Sequence, residues 1–360
     1  MDFPNRLFEC SPYELAASER TPLFVDYLND LVAHHAAHSV HYRRLLQALG
    51  VEGKRFERIE DFPYVPVRLF KHFPLKSVDD SAVLKTLTSS GTTGQALSRI
   101  FIDNGTSALQ TRALSAIVQS YLGKSRAPMI IVDSHSVIKD RTLFSARGGG
   151  ILGLSPFGRD HFYALDESMN PDVDGLIAYL SKHSGQNIFM FGFTFMIWKH
   201  FYEALAQAAT RIDLSNATLI HSGGWKKLIA ESVDNQTFKA RLKERFGLSR
   251  IYNFYGMVEQ MGSVFMECDA GYLHASHFSD IVVRDHVDWS AVPNGREGVI
   301  EVASILPHSY PGHVLLTEDL GVVFGEDDCQ CGRKGKYFEI RGRIPKAEVR
   351  GCSDTYETAA

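Results

Sequence analysis

The chain has 360 residues, 44% hydrophobic and 22% charged, which is material for one large or two medium cores. A formal net charge of -4, with 38 basic and 42 acidic side chains, gives no reason to expect a nucleic-acid partner. Asp2, Arg6 and Glu9 interrupt the first ten residues, no long uncharged apolar run follows, and five cysteines do not form a disulfide framework. No secretory leader, no membrane partner and a cytoplasmic setting with reduced thiols are therefore expected.

In chain order, residues 12–49 read as helix, ended by Gly50. His34, His38 and His41 fall at i, i+4, i+7 along it. With no Glu after the first His and no further ligand, a packed or solvated face is expected there rather than a metal site. Val65-Pro66-Val67 and Phe73-Pro74 mark extended chain. Residues 83–87 read as a strand. Residues 107–121 read as a helix with Leu109, Ala113, Leu114, Ile117 and Val118 on one face. Residues 129–132, 188–191, 217–220 and 251–254 are short apolar runs of buried-strand type, and helices are expected through Trp198 and Leu205 and over 238–246. Strands alternating with helices predict an α/β fold with parallel sheets flanked by helices. Beyond Gly271 the helices thin out, and 299–305 and 314–316 predict a small β-rich, antiparallel or barrel-like part.

Three segments carry chemistry. Thr88-Ser89-Ser90-Gly91-Thr92-Thr93-Gly94-Gln95 directly follows a predicted strand; its glycines permit tight turns, and its hydroxyls and amides offer donors to a polyphosphate. It is not a Walker A loop, since no Lys follows Gly94; the competing assignment is a polar surface turn. Asn253-Phe254-Tyr255-Gly256-Met257-Val258-Glu259 places a ring for stacking, a turn glycine and a carboxylate able to hold Mg²⁺ at a second strand end. His221-Ser222-Gly223-Gly224-Trp225 puts a glycine pair at a third. Open α/β sheets bind ligands at the carboxyl ends of their strands, so the three loops are candidates for one crevice. Arg147-Gly148-Gly149-Gly150 reads as a phosphate nest or a flexible loop.

This set, in this order, resembles the adenylate-forming superfamily of acyl-CoA ligases, luciferases and peptide-synthetase adenylation domains. The resemblance implies the large N-terminal domain of that fold and ATP as co-substrate. It implies that Thr88, Ser89, Ser90, Gly91, Thr92, Thr93 and Gly94 hold the ATP phosphates, with Gly223 and Gly224 in a further strand-end loop. Tyr255 and Gly256 would contact adenine, Glu259 would hold Mg²⁺, Asp319 would bind the ribose and Arg343 would be the hinge-region arginine. Gly192-Phe193-Thr194 sits where the superfamily places a loop beside the acyl pocket.

The finer resemblance is to phenylacetate-CoA ligases and to LuxE-type acyl-protein synthetases. Glu267-Cys268, Gly271-Tyr272-Leu273-His274 and Cys329-Gln330-Cys331 look like the former; the overall length and the ending Arg350-Gly351-Cys352-Ser353 look like the latter. The second likeness implies Cys352 as acyl carrier, with Lys346 and Arg350 nearby to favour its thiolate. Cys268, His274, Cys329 and Cys331 supply four N/S ligands for a structural zinc, provided the segments converge; unligated thiols are the alternative. Only 17 residues follow Arg343. The expected organisation is thus an adenylation domain over 1–340 and a hinge with a truncated C-terminal stub over 341–360, without the superfamily's catalytic lysine.

Three functions remain at this level. The preferred one is activation of a fatty or aromatic carboxylic acid as acyl-AMP and transfer to Cys352 for delivery to a partner such as a reductase. The second is a ligase loading CoA or a carrier protein, with Cys352 incidental. The third is a degenerate adenylate-binding subunit.

Overall fold

The helix expected over 12–49 is two helices in the computed structural model of the protein, which describes residues 3–89, 97–139, 146–206, 211–225 and 232–344. Ala17–His38 and Val40–Ala48 are separated by Ser39, whose backbone is extended. Arg43 explains the break. Its guanidinium donates to the carbonyls of Ala36 and Ala37, both at 2.7 Å, and so replaces the intrahelical partners that a helix end lacks. The second helix runs to Gly50 at φ +66°, the left-handed stop expected of glycine.

These helices belong to a unit built from residues up to 120 and from 255 onward, Tyr255 included. Its strands begin with β1 (Val65–Pro66), then β2 (Lys85–Thr88) and β3 (Arg99–Ile102), which pair antiparallel. The helix Asn104–Leu122 follows, longer than expected, because the Asp103 carboxylate accepts the Thr106 amide at 2.7 Å and caps an extra first turn.

The other unit comprises residues 121–254. β4 (Ala127–Ser134), β5 (Gly158–Leu165), β6 (Ile188–Phe193), β7 (Ala217–Ser222) and β8 (Arg250–Tyr255) form a parallel sheet in the order β5-β4-β6-β7-β8. β6 is buried along its whole length and β4 along nearly all of it, which is why both appear in the sequence as unbroken apolar runs. Helices Val173–Lys182 and Asn235–Phe246 are capped by Asp172 and Asp234, and Gly247 at φ +71° ends the second. The chain leaves β4 first to one side and then to the other. The carboxyl end of β4 is therefore a topological switch point, where such sheets bind ligands.

The first unit resumes with β9 (Phe265–Glu267), β10 (Leu273–His274), β11 (Ser279–Arg284), β12 (Gly298–Ser304), β13 (Val314–Glu326) and β14 (Lys336–Arg343). They pair antiparallel in the order β11-β12-β13-β14-β10-β9, as the thinning of helices after Gly271 leads one to expect. β14 covers β13 only from Asp319 onward, so β1 takes the vacant edge in parallel register, Val65 opposite Leu315 and Pro66 opposite Leu316. Among the described residues no helix is long and apolar enough to cross a membrane.

The helical histidines are packed within this unit. His35 is buried between the Ser77 hydroxyl at 2.7 Å and the Pro307 carbonyl at 3.2 Å, and its ring stacks on His313 at 4.8 Å. His313 lies 3.0 Å from the Tyr42 hydroxyl, and His34 stacks on His308 at 3.9 Å. Burial, reinforced by the neighbouring histidines, holds His35 well below its usual pKa and lowers His313 to about 3. Both rings are neutral when folded, so the unfolded chain takes up protons first as the pH falls through the ordinary histidine value near ~6.5. Each fully buried ring should then remove up to about 1.4 kcal/mol of stability per pH unit, with no such loss above that pH. Urea midpoints measured from pH 8 to 5 should fall below pH 6.5, and less steeply in His313→Asn. Equal slopes for the two proteins would contradict this.

Candidate active site

β13 and β14 place Asp319 directly opposite Arg343, so their side chains share one face as cross-strand neighbours. Arg343 Nε donates to Asp319 Oδ1 at 3.1 Å. Tyr255, at the end of β8, donates its hydroxyl to Asp319 Oδ2 at 2.7 Å. Burial, followed by the Asp319 charge, pushes the phenol well above its usual range, so Tyr255 remains a donor at any working pH. The Asp319 amide in turn bonds the Thr317 hydroxyl at 3.1 Å, fixing the backbone beneath the carboxylate. Three residues singled out in the sequence, Tyr255, Asp319 and Arg343, are thus in direct contact.

Two charged neighbours extend this group, and sequence reasoning missed both. Arg343 Nη2 donates to Glu318 Oε2 at 3.3 Å, and Arg68 Nε donates to Glu318 Oε1. Arg68 precedes Glu318 by 250 residues, and no local pattern links them.

Glu259 lies in the short 3-10 turn Val258–Gln260 and is 4% exposed. The turn is held by its surroundings. Tyr310 donates to the Glu259 carbonyl at 2.9 Å, and Gln260 Nε2 donates to the Gly312 carbonyl at 2.8 Å. A Cβ at Gly312 would run into the Tyr310 ring and come within 2.9 Å of the Glu259 carbonyl, so this approach requires glycine.

Thr88 ends β2, and the base of the following loop is closed by Ser89 and Ser98. The Ser89 amide donates to the Ser98 carbonyl at 3.2 Å, and the Ser98 amide to Ser89 Oγ at 3.0 Å. Ser90, Gly91, Thr92, Thr93 and Gly94 lie outside the described residues, as do Lys346, Arg350 and Cys352.

In the 121–254 unit, Gly223 and Gly224 follow β7. Gly223 has φ +84°, and a Cβ there would lie 3.0 Å from the Phe193 ring. Thr194 joins this strand end. Its hydroxyl lies 2.9 Å from His221 Nδ1 and 3.2 Å from the Ser222 carbonyl. Desolvation lowers the buried His221 to about 3, so it is neutral. The segment Arg147-Gly148-Gly149-Gly150 is neither nest nor flexible loop but part of the helix Ala146–Leu154. Arg147 forks onto buried Asp133 at 2.9 and 3.0 Å, and a Cβ on Gly150 would press on Phe193 and Phe191 at 3.0 and 3.3 Å.

Cys268 follows β9, His274 ends β10, and Cys329 and Cys331 occupy the turn between β13 and β14. Their ligand atoms all lie within 4.8 Å of one another. Cys268 Sγ is 4.0 Å from Cys329 Sγ, and Cys331 Sγ is 3.5 Å from His274 Nε2. The Arg333 amide points at Cys331 Sγ from 3.4 Å. The four residues converge because β10 pairs with both β9 and β14. Burial raises all three thiols and lowers His274 to about 4. Cys10, by contrast, rests 3.8 Å from His277 Nδ1, while His277 Nε2 accepts the Leu15 amide at 2.8 Å.

Superposition on solved structures covers 93% of this chain and 72% of a 2-hydroxyisobutyryl-CoA ligase in an open conformation with 2-HIB-AMP and CoA, at TM-score 0.71 and 18% identity. The same enzyme in its postadenylation state with 2-HIB-AMP gives 0.70 and 19%, covering 92% and 70%. The fold is therefore that of the adenylate-forming ligases. In sequence, residues 2–360 match the family described as acyl-protein synthetase, LuxE, and the chain belongs to that family. A long-chain-fatty-acid–luciferin-component ligase of Vibrio harveyi is 23% identical over 366 residues, covering 98% of this chain and 92% of that one. The protein is accordingly an acid–thiol ligase, which activates a carboxylic acid with ATP and passes the acyl group to a thiol.

Proposed function

We propose that this chain adenylates a long-chain fatty acid and carries the acyl group on Cys352 before handing it to a protein partner such as a reductase. The observation behind this is the contact group of Tyr255, Asp319 and Arg343. A carboxylate offers about four lone-pair sites. Tyr255 and Arg343 use one on each Asp319 oxygen, which leaves two for a vicinal diol such as a ribose. The guanidinium beside it suits the anionic side of a nucleotide. The fatty acid follows from the Vibrio harveyi relative's name.

In the first step a carboxylate oxygen attacks the α-phosphorus, an O–P bond forms and pyrophosphate leaves. The loop from Thr88 to Gly94 is assigned to the phosphates, Gly223 and Gly224 to the cofactor and Gly192-Phe193-Thr194 to the acid side; Tyr255 and Gly256 are assigned to the base. In the second step a thiolate attacks the carbonyl carbon and AMP leaves with its bonding pair. Carboxylate alone could not do this, since its leaving group would be oxide. The domain assignment, adenylation over 1–340 and hinge with stub over 341–360, belongs to the same proposal, as does a cytoplasmic setting.

Glu259 is a single carboxylate, which fits Mg²⁺ held by one or two protein oxygens plus substrate phosphates. Such an ion would neutralise charge on the departing pyrophosphate. The Cys268, His274, Cys329 and Cys331 set fits zinc: four N/S atoms, the number and type of one tetrahedral shell, at mutual distances no greater than 4.8 Å. Its role would be structural.

ATP–pyrophosphate exchange tests the adenylation step. Exchange should require a fatty acid, and Asp319→Ala should weaken ATP binding by the value of a charge-assisted hydrogen bond, about 1.5–3 kcal/mol or some 10- to 150-fold. Unchanged nucleotide affinity by calorimetry would overturn the ribose assignment.

A further inference from the structure

The connection between β12 and β13 is bonded to two parts of its unit at once. Ser309 holds the first. Its amide donates to the Thr106 hydroxyl at 3.0 Å, and its own hydroxyl donates to the Phe101 carbonyl at 2.8 Å. Phe101 lies in β3, the strand that follows the Thr88–Gly94 loop, and Thr106 stands in the first turn of the helix Asn104–Leu122. Tyr310 holds the second. Its hydroxyl donates to the Glu259 carbonyl at 2.9 Å and accepts from Gln110 Nε2 at 3.4 Å, one helical turn beyond Thr106. Ser309 and Tyr310 are both fully buried.

Two glycines let these parts come close. A Cβ on Gly262, at φ +84° just past the Glu259 turn, would lie 2.7 Å from the Gln110 backbone, and one on Gly312 would run into the Tyr310 ring. Burial, followed by the Glu259 charge, pushes the Tyr310 phenol far above its usual pKa, so it stays protonated and donates at any working pH. The stem of the loop and the turn carrying Glu259 are thus both referenced to two consecutive residues, whose Cα atoms a trans peptide keeps about 3.8 Å apart.

We infer that Tyr310 is a positioning residue for the metal ligand: with Ser309 it sets Glu259 at a fixed distance from the stem of the loop that follows Thr88. The inference rests on the assignment of that loop to the ATP phosphates and of Glu259 to Mg²⁺. It concerns the backbone of Glu259, whichever other groups the side chain meets. Mg²⁺ demands near-octahedral ligands at about 2.0–2.1 Å and is commonly held by one or two carboxylates plus substrate phosphates. A carboxylate that shares the ion with a phosphate therefore has to keep its separation from the phosphate loop to within about 0.2 Å. Outer partners that fix a metal ligand in this way are worth about 10- to 100-fold in metal affinity.

Calorimetry of ATP binding to the full chain, with the fatty acid omitted so that nothing turns over, tests this. The quantity read is the ratio of ATP affinity with Mg²⁺ to that with EDTA. Tyr310→Phe should lower the ratio about tenfold while leaving metal-free ATP binding unchanged. In ATP–pyrophosphate exchange, half-saturating Mg²⁺ should rise about tenfold and the KM for the fatty acid should stay at the wild-type value. A merely structural role predicts a lower thermal midpoint and a lower binding stoichiometry, which counts folded chains, with the ratio unmoved. Ser309→Ala loosens the other end of the tie and should lower the ratio too, which keeps the inference testable where Tyr310→Phe does not fold. An unchanged ratio in Tyr310→Phe, or in Ser309→Ala when only that variant folds, overturns the inference. Glu259→Gln run alongside separates the two levels. If it leaves the ratio unchanged, the metal assignment has failed; if it removes the Mg²⁺ enhancement and Tyr310→Phe does not, only the role of Tyr310 has.

Discussion

Cys352→Ser should leave ATP–pyrophosphate exchange within about twofold of wild type while abolishing hydroxylamine-sensitive acyl labelling of the protein. Exchange reports only the first step, which needs no thiol. Labelling reports the second. The other cysteines make poor candidates for the carrier. Cys268, Cys329 and Cys331 face one another and His274, Cys10 rests against His277, and burial raises the pKa of all four. A thiol at its ordinary pKa near ~8.5 is a few per cent ionised at neutral pH, and each upward shift reduces that fraction. In the sequence, Arg350 stands two residues before Cys352, and a cation brought beside a thiol favours its thiolate. A serine hydroxyl in its place would not ionise usefully. Labelling that survives the substitution would assign the acyl group to another residue. Wild-type protein that never labels yet forms acyl-CoA readily would establish the CoA-ligase function instead.

Loss of the metal set should have the larger effect on folding. Protein purified without added zinc should contain close to one zinc per chain. Cys331→Ser should lower that content and cost several kcal/mol, in the range of about 4 or more expected when a structural metal is lost. The reason lies in what the four residues tie together. Cys329 and Cys331 sit in the β13–β14 turn, and His274 and Cys268 belong to the short β9–β10 pair, only two or three residues per strand. Strands that short have little packing of their own. Zinc content near zero, or a thermal midpoint indifferent both to chelator and to Cys331→Ser, would show that the thiols stand unligated.

The parallel strands were legible because burial on both faces writes an unbroken apolar run, as in Met129-Ile130-Ile131-Val132. β5 was not legible. At the edge of its sheet it needs no such run, and Gly-Arg-Asp-His opens it with polar residues. The break at Ser39 escaped because its cause, Arg43 bonding back to Ala36 and Ala37, is a side-chain choice that helical periodicity does not register. Three glycines after Arg147 read as loop, yet they lie in a helix where Gly150 leaves room for Phe191 and Phe193. In the site, Tyr255, Asp319 and Arg343 stood out through motif context. Arg68, Glu318 and the Asp133–Arg147 pair did not, since each depends on a partner that only the fold supplies.

The pairing of Asp319 with Arg343 also sets a length. Cys352 lies nine residues beyond Arg343, and nine peptide units span at most about 30 Å even when fully drawn out. Arg343, paired with the carboxylate proposed to hold the nucleotide, therefore bounds how far along the chain Cys352 can lie from it. If Cys352 is the acyl carrier, as proposed, a thiol within that radius would meet the acyl-adenylate at an effective concentration no longer set by how much thiol the surroundings hold. If, as proposed, Cys352 hands its acyl group to a protein partner, that partner would have to bring its own reactive centre within about 30 Å of Arg343, a limit of reach that applies before any surface contact selects by shape.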